Sequence, residues 1–138
     1  MELTKSHRAY FKAAKAISKL SDFKRVRIGC VAVYGHRVIS SGSNSTKTNP
    51  LQKKYNAYRF NEDAGSHMLH AECQCLLPLI GNKDIDFSKV SLYVYREFKH
   101  GGLALAKPCP SCEQLIRDLG IKKVYYTGDN SYISETFM

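Results

Sequence analysis

Apolar residues near the N-terminus recur at helical spacing. Tyr10, Ala13, Ala14, Ile17 and Leu20 share one face, while Lys5, Arg8, Lys12, Lys15 and Lys19 fall three and four apart on another. The pattern predicts an amphipathic helix over residues 3–20. Two strand-like runs follow, residues 28–34 and 37–41, joined by Gly35-His36, a Gly-X pair with the chemistry of a tight hairpin turn. After a Ser/Asn/Thr-rich loop over 41–48, Asn49-Pro50 offers an N-cap with proline at the first helical position. Leu51, Tyr55 and Tyr58 give one apolar face to a short helix reaching about Phe60.

Residues 61–66 are polar, and a helix is predicted from about His70 to Ile80. Pro78 strains its end, because the ring opposes the carbonyl four residues back. Residues 90–95 form a short continuous apolar run, as in a strand buried on both faces. A loop over 96–107 contains Gly101-Gly102. Then come a helix over 110–119 with Gly120 in the C-cap place, a strand over 121–127, and an edge strand over 132–137. There is no internal repeat and no linker. Helices alternating with buried strands after an opening hairpin predict a three-layer α/β/α fold, read as one domain spanning residues 1–138.

Composition changes this picture little. With 43% hydrophobic and 24% charged residues the chain is an ordinary globular sequence, which argues against a disordered tail or fibrous repeat. No run approaches the ~18 apolar residues of a membrane span, and the N-terminus lacks the apolar stretch of a secretory signal. A soluble cytoplasmic protein with no membrane partner is expected. Charge adds more: 21 Lys+Arg against 12 Asp+Glu give +9, which draws anions and suggests nucleotides or nucleic acid as partners. A solvated helix face also accounts for the lysines of the first helix.

The strongest chemical signal lies in His70-Ala71-Glu72 and Pro108-Cys109-Pro110-Ser111-Cys112. The five cysteines are an odd number, and the Cys-x-x-Cys spacing suits a metal better than a disulfide framework. Zinc takes nitrogen and sulfur ligands, and a catalytic site keeps one position open for water, so His70, Cys109 and Cys112 supply three ligands. Pro110 at a first helical position puts Cys109 at the N-cap and Cys112 in the first turn, where free N–H groups favour thiolate. A closed structural site completed by Cys73, Cys75 or His67 is the alternative. It gives Glu72 no role, and Cys30, Cys73 and Cys75 read better as core residues.

This His-x-Glu and Pro-Cys-x-x-Cys pattern resembles the zinc-dependent cytidine and deoxycytidylate deaminase family, over about residues 28–127. The resemblance implies a cytidine-deaminase-like sandwich with a mixed central sheet, Zn²⁺ as cofactor, and hydrolytic deamination of cytosine. Water activated by the metal attacks C4, Glu72 moves protons to N3 and to the departing amine, and uracil and ammonia leave. It also implies that Asn44 contacts the nucleoside and that the backbone N–H of Ala71 faces the base. Relatives commonly assemble as homo-oligomers.

Two departures bear on the substrate. Ser45-Thr46-Lys47-Thr48-Asn49-Pro50 stands where deoxycytidylate deaminases have a Gly-x-Pro-type loop. In addition, 25 residues separate Asn44 from His70, more than in the family's tRNA adenosine deaminases. In that segment Lys47, Lys53, Lys54 and Arg59 interleave with Tyr55, Tyr58 and Phe60, a mixture that can hold a phosphate and stack a base. Arg96, Lys99, His100 and Lys107 are further candidates for the pocket mouth. The reading that follows is deamination of a pyrimidine nucleotide, dCMP to dUMP. The alternatives are a deaminase of bases in single-stranded DNA or RNA, and a non-catalytic zinc-binding module.

Overall fold

The computed structural model describes residues 1–23, 25–47, 49–56 and 69–137. Its centre is a five-stranded sheet in the order β2-β1-β3-β4-β5. The strands are β1 (Ile28–Tyr34), β2 (Arg37–Ser43), β3 (Ser91–Arg96), β4 (Lys123–Gly128) and β5 (Ser131–Thr136). β1 pairs antiparallel with both β2 and β3, β3 runs parallel to β4, and β5 returns antiparallel on β4. The sheet is therefore mixed.

Alternation along the inner strands builds two cores. Val31, Val33, Tyr93 and Tyr95 meet Phe11 and Ala14 of α1 (Lys5–Ser18) on one face. Cys30, Ala32, Leu92, Val94, Val124 and Tyr126 point to the other, beneath α3 (Ala71–Leu76) and α4 (Pro110–Leu119). α2 (Pro50–Tyr55) packs on α4. The three-layer arrangement expected from the sequence is present, and Tyr125 and Tyr126 divide between the two faces. Among the described residues no helix is long and apolar enough to cross a membrane.

Local chemistry explains most boundaries. α1 begins at Lys5 because Thr4 and His7 cap each other reciprocally, each side chain bonding the other's backbone N–H. Gly35 and His36 both take positive φ, 59° and 64°, as a tight hairpin turn requires. The helix expected over residues 70–80 is shorter. α3 ends at Leu76 and a 3-10 turn over Leu77–Leu79 takes over, since Pro78 has no N–H to continue the ladder. The last helix begins at Pro110 and stops at Gly120, whose φ of 89° is the left-handed C-cap. β2 runs to Ser43, two residues beyond the expected strand, because Gly42 and Ser43 find partners in Cys30 and Gly29.

Candidate metal centre and active site

His70 is the N-cap of α3 and Cys109 the N-cap of α4, so both helix starts converge on one point. The His70 Nδ1 lies 3.2 Å from the Cys112 Sγ and 3.4 Å from the Cys109 Sγ. Tetrahedral zinc with bonds of about 2.0–2.3 Å sets such atoms about 3.5 Å apart. The donor set, two sulfurs and one imidazole nitrogen, therefore fits zinc in chemistry and in spacing. Among the described residues these three form the one His/Cys/Asp/Glu group able to hold a metal. Cys73 and Cys75 are buried in the core instead, and burial pushes the Cys73 thiol up to about 12. His67 lies outside the described residues.

The two sulfurs share a proton unequally. A hydrogen bond from Cys112, with help from His70 and Ser111, pulls Cys109 down to about 3. The same bond, together with burial, pushes Cys112 well up. Negative charge thus settles on Cys109. Glu72, one position into the first turn beyond Ala71, is 5% exposed, and burial raises its carboxyl above the ordinary range while His70 opposes the shift.

A cavity of about 300 Å³ opens beside this group, with His70, Ala71, Glu72 and Cys109 in its lining. Phe23, Val26, Ile28, Leu69 and Leu105 supply apolar walls, and Asn44, Arg96 and Lys107 are among the remaining lining residues. The Asn44 amide donates to the Val26 carbonyl at 2.7 Å and accepts from the Ile28 N–H at 2.9 Å. Half of its hydrogen-bonding capacity is thereby spent on pinning the cavity wall, and the other half remains. Arg96 closes β3 and donates to the Leu105 carbonyl at 3.2 Å.

The sequence candidates divide. His70, Ala71, Glu72, Cys109, Asn44 and Arg96 come together around the cavity. Lys47, Lys53 and Lys54 are exposed and do not line it; the latter two occupy the outward side of α2. Arg59, Tyr58 and Phe60 lie outside the described residues. Lys99 lines a separate groove, and His100 stacks on Phe98 at a centroid distance of 5.2 Å. Sequence reasoning missed Gln52, which is 1% exposed and accepts from the His70 backbone N–H at 3.0 Å. It also missed Ser111, whose Oγ sits 3.0 Å from the Cys109 Sγ. Nothing local marks Gln52, whereas Ser111 lies between the two cysteines of the Cys-x-x-Cys motif.

Known proteins share this fold. A dCMP deaminase from the cyanophage S-TIM5 is 25% identical over 91% of this chain and 84% of its own, with a TM-score of 0.63. The structure of that phage enzyme in complex with dCMP and dUMP aligns at 24% identity over 91% and 83% of the two chains, with a TM-score of 0.64. A cytidine deaminase from Burkholderia pseudomallei has the same fold, with a TM-score of 0.64 at 20% identity over 97% and 93%. No curated protein matches the chain. The family model described as the cytidine and deoxycytidylate deaminase zinc-binding region matches residues 4–128. Since that stretch takes in both metal-binding helix starts and four of the five strands, the chain belongs to the cytidine and deoxycytidylate deaminase family, and is a zinc-dependent hydrolytic deaminase.

Proposed function

We propose that the protein converts a free cytosine nucleotide, dCMP, to dUMP. The supporting observation is the pair of cations, Arg96 and Lys107, lining the same cavity as His70, Glu72 and Cys109. Apolar walls suit a flat ring, and a volume of about 300 Å³ is in the range of small-molecule sites. The first-turn amides of α3 have no side-chain cap, which leaves the Ala71 N–H to meet the base. Asn44 uses its remaining hydrogen-bonding capacity on the sugar. Arg96 binds the phosphate, the task for which its planar fork is suited.

Zinc held by His70, Cys109 and Cys112 supplies the Lewis acidity that makes water nucleophilic at neutral pH. Glu72 handles the protons. Its carboxylate takes one from the attacking water and delivers it to N3, then carries the second, given up as the new C4 hydroxyl becomes a carbonyl, to the amino group, which departs as ammonia. Burial keeps bulk water from competing for either transfer.

The test measures product from cytidine, deoxycytidine, CMP, dCMP and a single-stranded oligonucleotide. Turnover of dCMP well above deoxycytidine supports the reading, and turnover of the oligonucleotide alone overturns it. Arg96→Ala is expected to lower kcat/KM for dCMP about tenfold and to leave deoxycytidine within about twofold, as loss of one charge-assisted phosphate contact predicts. Equal losses on both substrates would instead assign Arg96 to the Leu105 loop.

A second reading, action on single-stranded DNA or RNA, is favoured by a separate basic groove. Lys19, Arg25, Arg27 and Lys99 line this groove of about 500 Å³, with Glu97 as its one acidic lining residue. Arg8, Lys12 and Lys15 line a further hollow with Tyr95 and Tyr132. On this reading, oligonucleotide affinity measured by anisotropy falls steeply with salt. Lys12→Ala and Lys19→Ala then each flatten the log–log slope by roughly 0.7. Binding that ignores salt removes the reading.

A further inference from the structure

We propose that Gln52 is a positioning residue of the metal centre, orienting the Ser111 hydroxyl proton onto the Cys109 sulfur while it anchors the main chain at His70. The inference rests on the zinc site and is independent of which nucleotide is the substrate.

The polarity follows from the partners. The Gln52 Oε1 lies 3.0 Å from the His70 backbone nitrogen, a group that can only donate. That contact fixes which end of the amide is oxygen. Nε2 therefore faces the other way, 2.9 Å from the Asn56 Oδ1 and 3.5 Å from the Ser111 Oγ. Both amide hydrogens are then committed, one to each oxygen. The Ser111 oxygen, accepting from Gln52, has its own hydrogen left for the Cys109 Sγ at 3.0 Å. A ligating Cys109 is a thiolate and accepts. Gln52 is 1% exposed and Ser111 0%, so water does not replace either link.

The consequence is electronic as well as geometric. Two thiolates weaken zinc as a Lewis acid, and a charge-assisted hydrogen bond draws electron density from one of them. The His70 backbone, which begins α3 without a side-chain cap of its own, is tied to the same amide. One side chain from α2 thus joins both halves of the metal motif.

The test uses Gln52→Glu, Ser111→Ala and the double variant, loaded with cobalt in place of zinc. Gln52→Glu preserves shape and the acceptor for His70, but its carboxylate cannot donate to Ser111, so the hydroxyl turns away from Cys109. Each single variant is expected to move the thiolate-to-cobalt charge-transfer band to lower energy by the same amount, and the double variant by no more. Zinc should pass from each single variant to a chelator about tenfold faster than from the unsubstituted protein. A band unmoved in Gln52→Glu, or shifts that add in the double variant, overturns the proposal. If Gln52→Glu does not fold, Gln52→Met serves, since it too cannot donate to Ser111.

Discussion

Glu72→Gln is expected to lower kcat by at least about 10³-fold, near 4 kcal/mol of transition-state stabilisation, while the protein keeps its zinc. The size follows from two proton transfers assigned to one group: general acid–base catalysis contributes about 10²–10⁴-fold, and an amide can perform neither transfer. Glutamine matches the shape of the carboxyl at a position only 5% exposed, and none of His70, Cys109 and Cys112 is altered. Tm should therefore stay within about 3 °C, because no cavity forms and no packed atom is lost. Product formation at saturating dCMP, read beside metal content, decides the matter. Turnover within tenfold of the unsubstituted enzyme would remove Glu72 from the chemistry. Loss of zinc along with activity would make it a metal-holding group instead. Saturation matters to the design, since a defect confined to binding would show in KM.

What the sequence made legible was local. Pro110 and Gly120 bracket α4 because a missing N–H suits one end of a helix and a positive φ the other, and both effects act within one turn. The metal group was readable for the same reason: its ligands sit at helix starts, where capping chemistry is visible in a few residues. What escaped was set by distant partners. The Gln52 amide finds His70 and Ser111, 18 and 59 residues away. Set between Leu51 and Lys53, Gln52 carries no local sign that its polar side chain faces inward. The interleaved Lys53, Lys54 and Tyr55 fitted a phosphate clamp on paper. On α2 the lysines belong to the outer side while Tyr55 turns in and bonds the Asp118 carboxylate. The cations that do reach the cavity, Arg96 and Lys107, are among the pocket-mouth candidates the sequence offers, and come from a strand end and a loop. Lys107 lies two residues before Cys109 and so follows the metal motif to His70, with the parallel pairing of β3 and β4 and the packing of α3 and α4 beneath it. Asn44 was legible in part: its turn-forming chemistry was evident, but its bonds to Val26 and Ile28 needed β1 and β2 in register.

Gly42→Ala and Gly29→Ala are expected to destabilise the protein by about 3 kcal/mol each, lowering Tm by roughly 10 °C, yet only the former should impair the folded enzyme. A Cβ at Gly42 would stand 2.4 Å from the Cys75 nitrogen and 2.6 Å from the Ala71 oxygen, while one at Gly29 would stand 2.0 Å from the Ala14 oxygen. Those are backbone atoms, so no side chain can rotate out of the way and a whole helix must move. The two glycines lie on neighbouring strands, Cys30 pairing with Gly42 and Gly29 with Ser43, but they admit helices on opposite faces. At Gly29 the helix displaced is α1, which carries no residue of the metal centre. At Gly42 it is α3, whose N-cap is His70 and whose first turn holds Glu72. Since a misplacement of about 1 Å can cost on the order of 10²-fold in rate, kcat of Gly42→Ala should fall far below its folded fraction. Thermal unfolding followed by kcat well below each Tm separates the two effects. Equal kcat losses in both variants would mean that the sheet transmits strain to the site from either face; a Gly42→Ala protein stable to within about 1 kcal/mol would mean that α3 can retreat without cost. The expected asymmetry makes the close approach of α3 to β2 part of the active site, because the depth at which that helix lies on the sheet sets where His70 and Glu72 stand relative to Cys109 and Cys112.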